Sequence, residues 1–154
     1  MKPKPYLLLL LSSWILIYCQ RPSSDVQEAQ TRLTEVDKWQ ISEILMNEAP
    51  VFKEGKHIPH ISGVRFDSYM EWVHFAPNGT FEGRFVGSDT SMRFQWEAYP
   101  KQNVIALRDT ATKTGGWNIY PRNVYADHFE METRSTLYDP PHLTKLTLKF
   151  KAMR

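Results

Sequence analysis

Cysteine is nearly absent. The 154 residues contain one, Cys19, so no disulfide can form within the chain. Positive charge is in excess only at the very start. Removing Lys2 and Lys4 from the 19 basic residues leaves 17, against 17 acidic ones. A body so balanced has no basic face to displace counterions, which argues against a nucleic acid partner and against electrostatic docking on anionic lipid. The long apolar run Tyr6–Tyr18 is too short to span a bilayer at 1.5 Å per residue. Gly-x-Ser-x-Gly, a Gly-rich phosphate loop and a Cys/His pair are all missing, so the chain is not expected to be an enzyme and no cofactor is implied. Internal repeats and low-complexity tracts are missing too.

What is present begins with an export signal. Lys2 and Lys4 make a basic start, Tyr6–Tyr18 an apolar stretch, and the chain turns polar from Gln20. Residues 1–18 therefore read as a signal peptide. The boundary Leu16-Ile17-Tyr18-Cys19 resembles the lipidation site of bacterial lipoproteins, which makes Cys19 the expected anchor point to a membrane. Gln20–Thr34 lacks aromatic residues and reads as a polar tether, with a short helix over Gln27–Leu33 an option that nothing requires. The expected division is thus residues 1–18 signal, 19–35 lipidated cysteine and tether, and 36–154 a single folded domain.

That domain is organised around Met70–Leu107, centred on Pro77-Asn78-Gly79. Asn-Gly between two runs of alternating aromatic residues is a hairpin signal, because a tight turn needs positive φ there. Short strands and polar turns continue on both sides. Thr80–Val86 places Phe81 and Phe85 on one face. Ser91–Tyr99 alternates Met92, Phe94, Trp96 and Ala98 against Arg93, Gln95 and Glu97. Val104–Arg108, Trp117–Tyr120, Val124–Arg134 and Leu143–Ala152 follow, the last with Leu146, Leu148 and Phe150 opposite Lys145, Thr147, Lys149 and Lys151. Two stretches are less regular. Val36–Asn47 fits a strand or a helix, with the strand preferred, and Glu48–Gly63 reads as a long loop and the place for a lid. Asp67–Phe75 is apolar on both faces, Tyr69, Val73 and Phe75 against Met70, Trp72 and His74, so one side is expected to be covered. Eight consecutive short strands form an antiparallel meander, and closing it into a barrel removes the exposed edges.

Several of these motifs resemble the small bacterial lipocalin-like lipoproteins. They are Lys38-Trp39-Gln40-Ile41 as first strand, Phe75-Ala76-Pro77-Asn78-Gly79-Thr80-Phe81 as hairpin, Gln95-Trp96-Glu97, and Val104-Ile105-Ala106-Leu107. The resemblance covers about residues 36–152. It implies an all-β fold, an eight-stranded antiparallel up-and-down barrel, lipocalin-like, on a lipid-anchored protein of the bacterial cell envelope, at its outer membrane. It further implies non-catalytic binding of a small apolar or amphipathic ligand; the alternative is a surface structural or host-interaction protein whose filled barrel acts through its loops.

The candidate lining of such a barrel is aromatic: Trp39, Phe75, Phe81, Phe85, Phe94, Trp96, Trp117 and Phe129. These side chains either surround a cavity or fill the interior, and a domain this small needs much of its apolar mass for stability. The remaining motifs have simpler readings. His57 and His60 could supply two metal ligands, but a site needs three or four and no cysteine is at hand, so no metal is expected. Asn78-Gly79-Thr80 matches a glycosylation sequon that the turn already explains. Asp109, Asp127, Glu130 and Glu132 show no catalytic pairing, and Glu130 and Glu132 alternate with Phe129 and Met131 in a way that turns them to water.

Overall fold

A computed structural model describes residues 21–58, 69–109, 116–136 and 140–153. Helix α1 (Val26–Glu35) precedes strands β1 (Trp39–Met46), β2 (Ala49–Lys53), β3 (Lys56–His57), β4 (Met70–Phe75), β5 (Thr80–Phe85), β6 (Ser91–Tyr99), β7 (Val104–Arg108), β8 (Gly116–Ile119), β9 (His128–Ser135) and β10 (Thr144–Ala152). From β4 to β10 each strand pairs antiparallel with the next, and β1 pairs with both β4 and β10. Eight strands therefore close into an up-and-down barrel, as the meander predicts. Val36–Asn47 resolves as a strand.

The seam is asymmetric. β1 runs beside β10 from Trp39↔Ala152 to Met46↔Leu146, yet pairs with β4 only at Trp39 and Gln40. A bulge at Ser42, whose hydroxyl donates to the Lys149 carbonyl (3.0 Å), bends β1 away from β4, and from Glu43 onward its free edge pairs with β2. This corrects the loop expected over Glu48–Gly63. Residues 49–57 are a β2–β3 hairpin with two tight turns, Asn47-Glu48 (φ 47° and 69°) and Glu54-Gly55 (φ 47° and 80°). Val51 and Phe52 are buried, and the Phe52 ring meets Tyr69 at 4.7 Å, closing the wedge between hairpin and β4. The rest of that expected loop, from residue 59 on, lies outside the described residues.

A second bulge explains why Asp67–Phe75 is apolar on both faces. Met70 opposes Phe85 and Trp72 opposes Arg84, so Glu71 is the extra residue. Met70 thereby joins Val73 and Phe75 in the core, while Trp72 and His74 stay outside. There Lys38 lies over the Trp72 ring at 4.8 Å and His74 Nδ1 meets the Asp37 carbonyl. The apolar outer face is thus partnered by the residues entering β1. The central hairpin is as expected: Gly79 has φ 86°, Asn78 Oδ1 accepts from Thr80 N–H (3.0 Å), and Gly79 C=O accepts from Trp96 N–H (2.8 Å).

The expected polar tether is overturned where the structure describes it. Asp25 caps α1 by accepting from Glu28 N–H (2.9 Å), and Glu28 in turn accepts from Ser24 N–H (2.7 Å) and from the Ser24 hydroxyl (2.8 Å). Val26, Ala29 and Leu33 form a narrow stripe, and all three are buried in the same core as the barrel. Ser23 is buried as well, its N–H and hydroxyl both donating to Val124 C=O (2.8 and 3.0 Å). Leu33 C=O accepts from the Trp39 indole (3.1 Å), and Arg32 reaches the carbonyls of Arg21 and Val124. Among the described residues the packed body therefore begins at Ser23.

Candidate functional site: the barrel interior

Antiparallel order gives the barrel two distinct ends. At the helix end lie α1, the Ala76–Gly79 turn, the Pro100–Asn103 turn and a single 3-10 turn at Pro121–Asn123. At the loop end lie the connections β1–β4, β5–β6, β7–β8 and β9–β10. Alternation then sorts the inward side chains by height.

The eight candidate lining residues all take inward positions, but they form two groups. Trp39, Phe75, Phe81, Trp96 and Phe129 are buried towards the helix end. Phe129 is edge-on to Trp39 (5.0 Å) and Phe75 (5.5 Å) and stacked on Phe150 (5.0 Å, 10° between planes). Phe75 in turn meets Phe81 at 5.0 Å and Trp96 at 6.3 Å. Rings at such spacings are in contact and occupy the space they enclose. Phe150, Ile105, Leu107, Ile119 and Leu148 complete this filling; of these, Leu148 and Phe150 share the apolar face that alternation sets in Leu143–Ala152, outside the candidate lining. The other three, Phe85, Phe94 and Trp117, are only part-buried and stand towards the loop end.

The loop-end wall is chemically divided. On β4, β5 and β6 its inward residues are Met70, Phe85, Met92 and Phe94; at Gly83, where a Cβ would come within 2.6 Å of Met70 Sδ, the thioether fills the missing side chain's place. On β9 and β10 the inward positions nearest the loops are Ser135 and Thr144, an opposed pair of hydroxyls, and one step further in Thr133 stands opposite Leu146. Thr133 Oγ1 donates to Gly116 C=O (2.7 Å). Thr144 is fully buried on the same face as Leu146, Leu148 and Phe150, and its Oγ1 has no hydrogen-bond partner. None of the inward strand positions among the described residues carries a charged side chain.

Among the described residues the barrel strands carry charge only on their outer face, where it brackets the seam. Lys149 contacts Glu43 (3.0 Å) and Glu130 (3.5 Å), and Lys145 contacts Glu48 (2.8 Å) and Glu132 (3.1 Å). Hydrogen bonds to Glu48 and Glu132 raise the Lys145 ammonium. Burial pulls Lys149 down, and the bond and field of Glu43 and Glu130 outweigh it, leaving it raised. Glu130 and Glu132 are thus tied into lysine pairs on the outer surface. Asp127 accepts from the His128 ring (2.7 Å) when Nδ1 is protonated. His57 stands on β3 with its ring 5.5 Å from Phe52, and His60 lies outside the described residues. Among the described residues no group of three or more His, Cys, Asp or Glu side chains converges on one point. Cys19 also lies outside them.

No family model matches the sequence, and no curated protein matches it. Among solved structures the chain is similar to a bovine lipocalin, the allergen Bos d 2, at 11% sequence identity, with 79% of this chain and 73% of that chain covered and a TM-score of 0.43. The closed barrel itself is established by the strand pairing, the β1–β10 seam included.

Proposed function

We propose that the protein is a non-catalytic binding module that takes a small apolar or amphipathic molecule into the loop end of its barrel and is held at a bacterial envelope membrane, the outer membrane, through lipid on Cys19. One observation carries the binding reading: Phe85, Phe94 and Trp117 point inward yet remain part-buried, while the helix end of the same barrel is filled ring against ring. Aromatic surface left partly uncovered inside a closed wall is what an apolar ligand would bury.

The anchor reading acquires a direction from α1. Cys19 precedes the buried Ser23 by four residues, a reach of at most about 14 Å. A lipid on Cys19 therefore keeps the helix end against the membrane and turns the loop end away from it, free to exchange ligand. A second reading, a surface interaction protein acting through its loops, draws on Val86 and Leu143, exposed apolar residues that both stand at the loop end.

Native mass spectrometry of the protein purified from its own cells tests the binding reading. A reproducible extra mass that is lost on denaturation supports it; protein that carries none and takes up no apolar dye turns the assignment to the loops. Labelling cells with a clickable fatty acid tests the anchor. Label is expected on the natural protein and not on Cys19→Ser, and equal labelling of both removes the anchor from Cys19.

A further inference from the structure

The loop end of the barrel has an apolar side and a side that carries three hydroxyls beside Leu146. Thr133, Ser135 and Thr144 take successive inward positions on β9 and β10, facing the methionine and aromatic wall of β4–β6 across the barrel. Thr144 is the unusual member. A threonine at 0% exposure whose hydroxyl makes no hydrogen bond leaves both a donor and an acceptor unmet, and buried polar groups are rarely left so. Valine would fit the same strand position without that penalty.

We infer that the Thr144 hydroxyl is the polar anchor of the ligand site and that it selects an amphiphile with a neutral hydrogen-bonding group, an alcohol, amide or ester, over one with a free carboxylate. The inference rests on the ligand-binding reading above. A hydroxyl satisfies a neutral head in either sense, giving a proton to a carbonyl or accepting one from an alcohol or amide. A carboxylate would enter a wall on which no described inward strand position is cationic, and a buried charge without a partner is strongly disfavoured. The lysines of β10 cannot serve it, because Lys145 and Lys149 project outward and are already held by glutamates. The ligand's chain then lies along Phe85, Phe94 and Trp117, and its head turns towards β10.

The test uses residues 20–154, which contain α1 and the whole barrel, and displacement of diphenylhexatriene, an apolar dye with no hydrogen-bonding group. Dodecanol and dodecanamide are expected to displace the dye at least about 10-fold more effectively than dodecanoate at pH 8. Thr144→Val is expected to lower the affinity for dodecanol relative to the dye about 3- to 10-fold, and Thr144→Ser to restore that ratio. Dodecanoate binding as tightly as dodecanol overturns the inference with the natural protein alone, whether or not the valine variant folds. So does an unchanged ratio of dodecanol to dye in Thr144→Val. Failure of the natural protein to take up the dye overturns the ligand-binding reading itself, and is distinguishable from both.

Discussion

At the helix end, the Phe129 ring has Trp39, Phe75 and Phe150 within 5.5 Å, and α1 lays Leu33 over the same cluster. At the loop end, Phe85, Phe94 and Trp117 hold the same inward orientation with part of each ring uncovered, beside a buried threonine hydroxyl that bonds to nothing. The residue types are alike, and what differs is how closely each ring is surrounded: Phe129 has three rings within 5.5 Å, whereas Phe94 meets Phe81 at 6.0 Å and stays part-buried. One barrel can thus divide its apolar mass, with one end closely packed and the other leaving aromatic surface part-buried.

The sharpest way to break that comparison is to truncate one ring at each end. Phe129→Ala removes a fully buried ring and is expected to cost about 3–5 kcal/mol in denaturant unfolding. Phe94→Ala, part-buried, is expected to cost only about 1 kcal/mol while weakening uptake of an apolar dye. Equal losses of stability from the two would mean that both ends are packed alike. Leu33→Ala comes next. If α1 is part of the core, the variant loses about 2–4 kcal/mol, whereas a loose tether would lose almost nothing.

Smaller effects sharpen the picture. Thr144→Val is expected to stabilise the empty protein by about 1 kcal/mol, raising its thermal midpoint by roughly 3 °C, because it removes an unsatisfied buried hydroxyl. A gain in stability coupled to a loss of binding marks the residue as kept for the ligand. The smallest effect concerns acid. The Ser24 backbone and hydroxyl, with Arg32, lower Glu28 from the ordinary value of 4.5 to about 2. A depressed folded pKa contributes stability above about 4.5 that is lost as the pH falls towards 2. The difference in unfolding midpoint between the natural protein and Glu28→Gln should therefore be constant above pH 5 and shrink between about pH 4.5 and 2.

The sequence by itself determined the wall. Alternation in Ser91–Tyr99, Val104–Arg108, Val124–Arg134 and Leu143–Ala152 sets which residues face in, because a strand's period of two leaves no other choice once one face is apolar. Asn78-Gly79 set the central turn for an equally local reason, the positive φ that Gly79 adopts. The helix was harder to read. Its stripe is three residues wide in a polar decapeptide, and its one clear local signal, Asp25 three residues before Glu28, matters only because a barrel end is there to receive Val26, Ala29 and Leu33. The bulge at Ser42 showed in the sequence only as a strand of uncertain type, and that at Glu71 only as a strand apolar on both faces. They follow from the closing of the ring, which bends β1 away from β4 and turns Met70 inward. The β2–β3 hairpin had a legible turn in Glu54-Gly55, but Pro50 and the mixed run around it hid the edge that β1 offered. Tertiary structure alone decided the division of the interior, because whether an inward ring is buried depends on which rings the other strands bring to the same height, and no stretch of sequence contains its partners across the barrel.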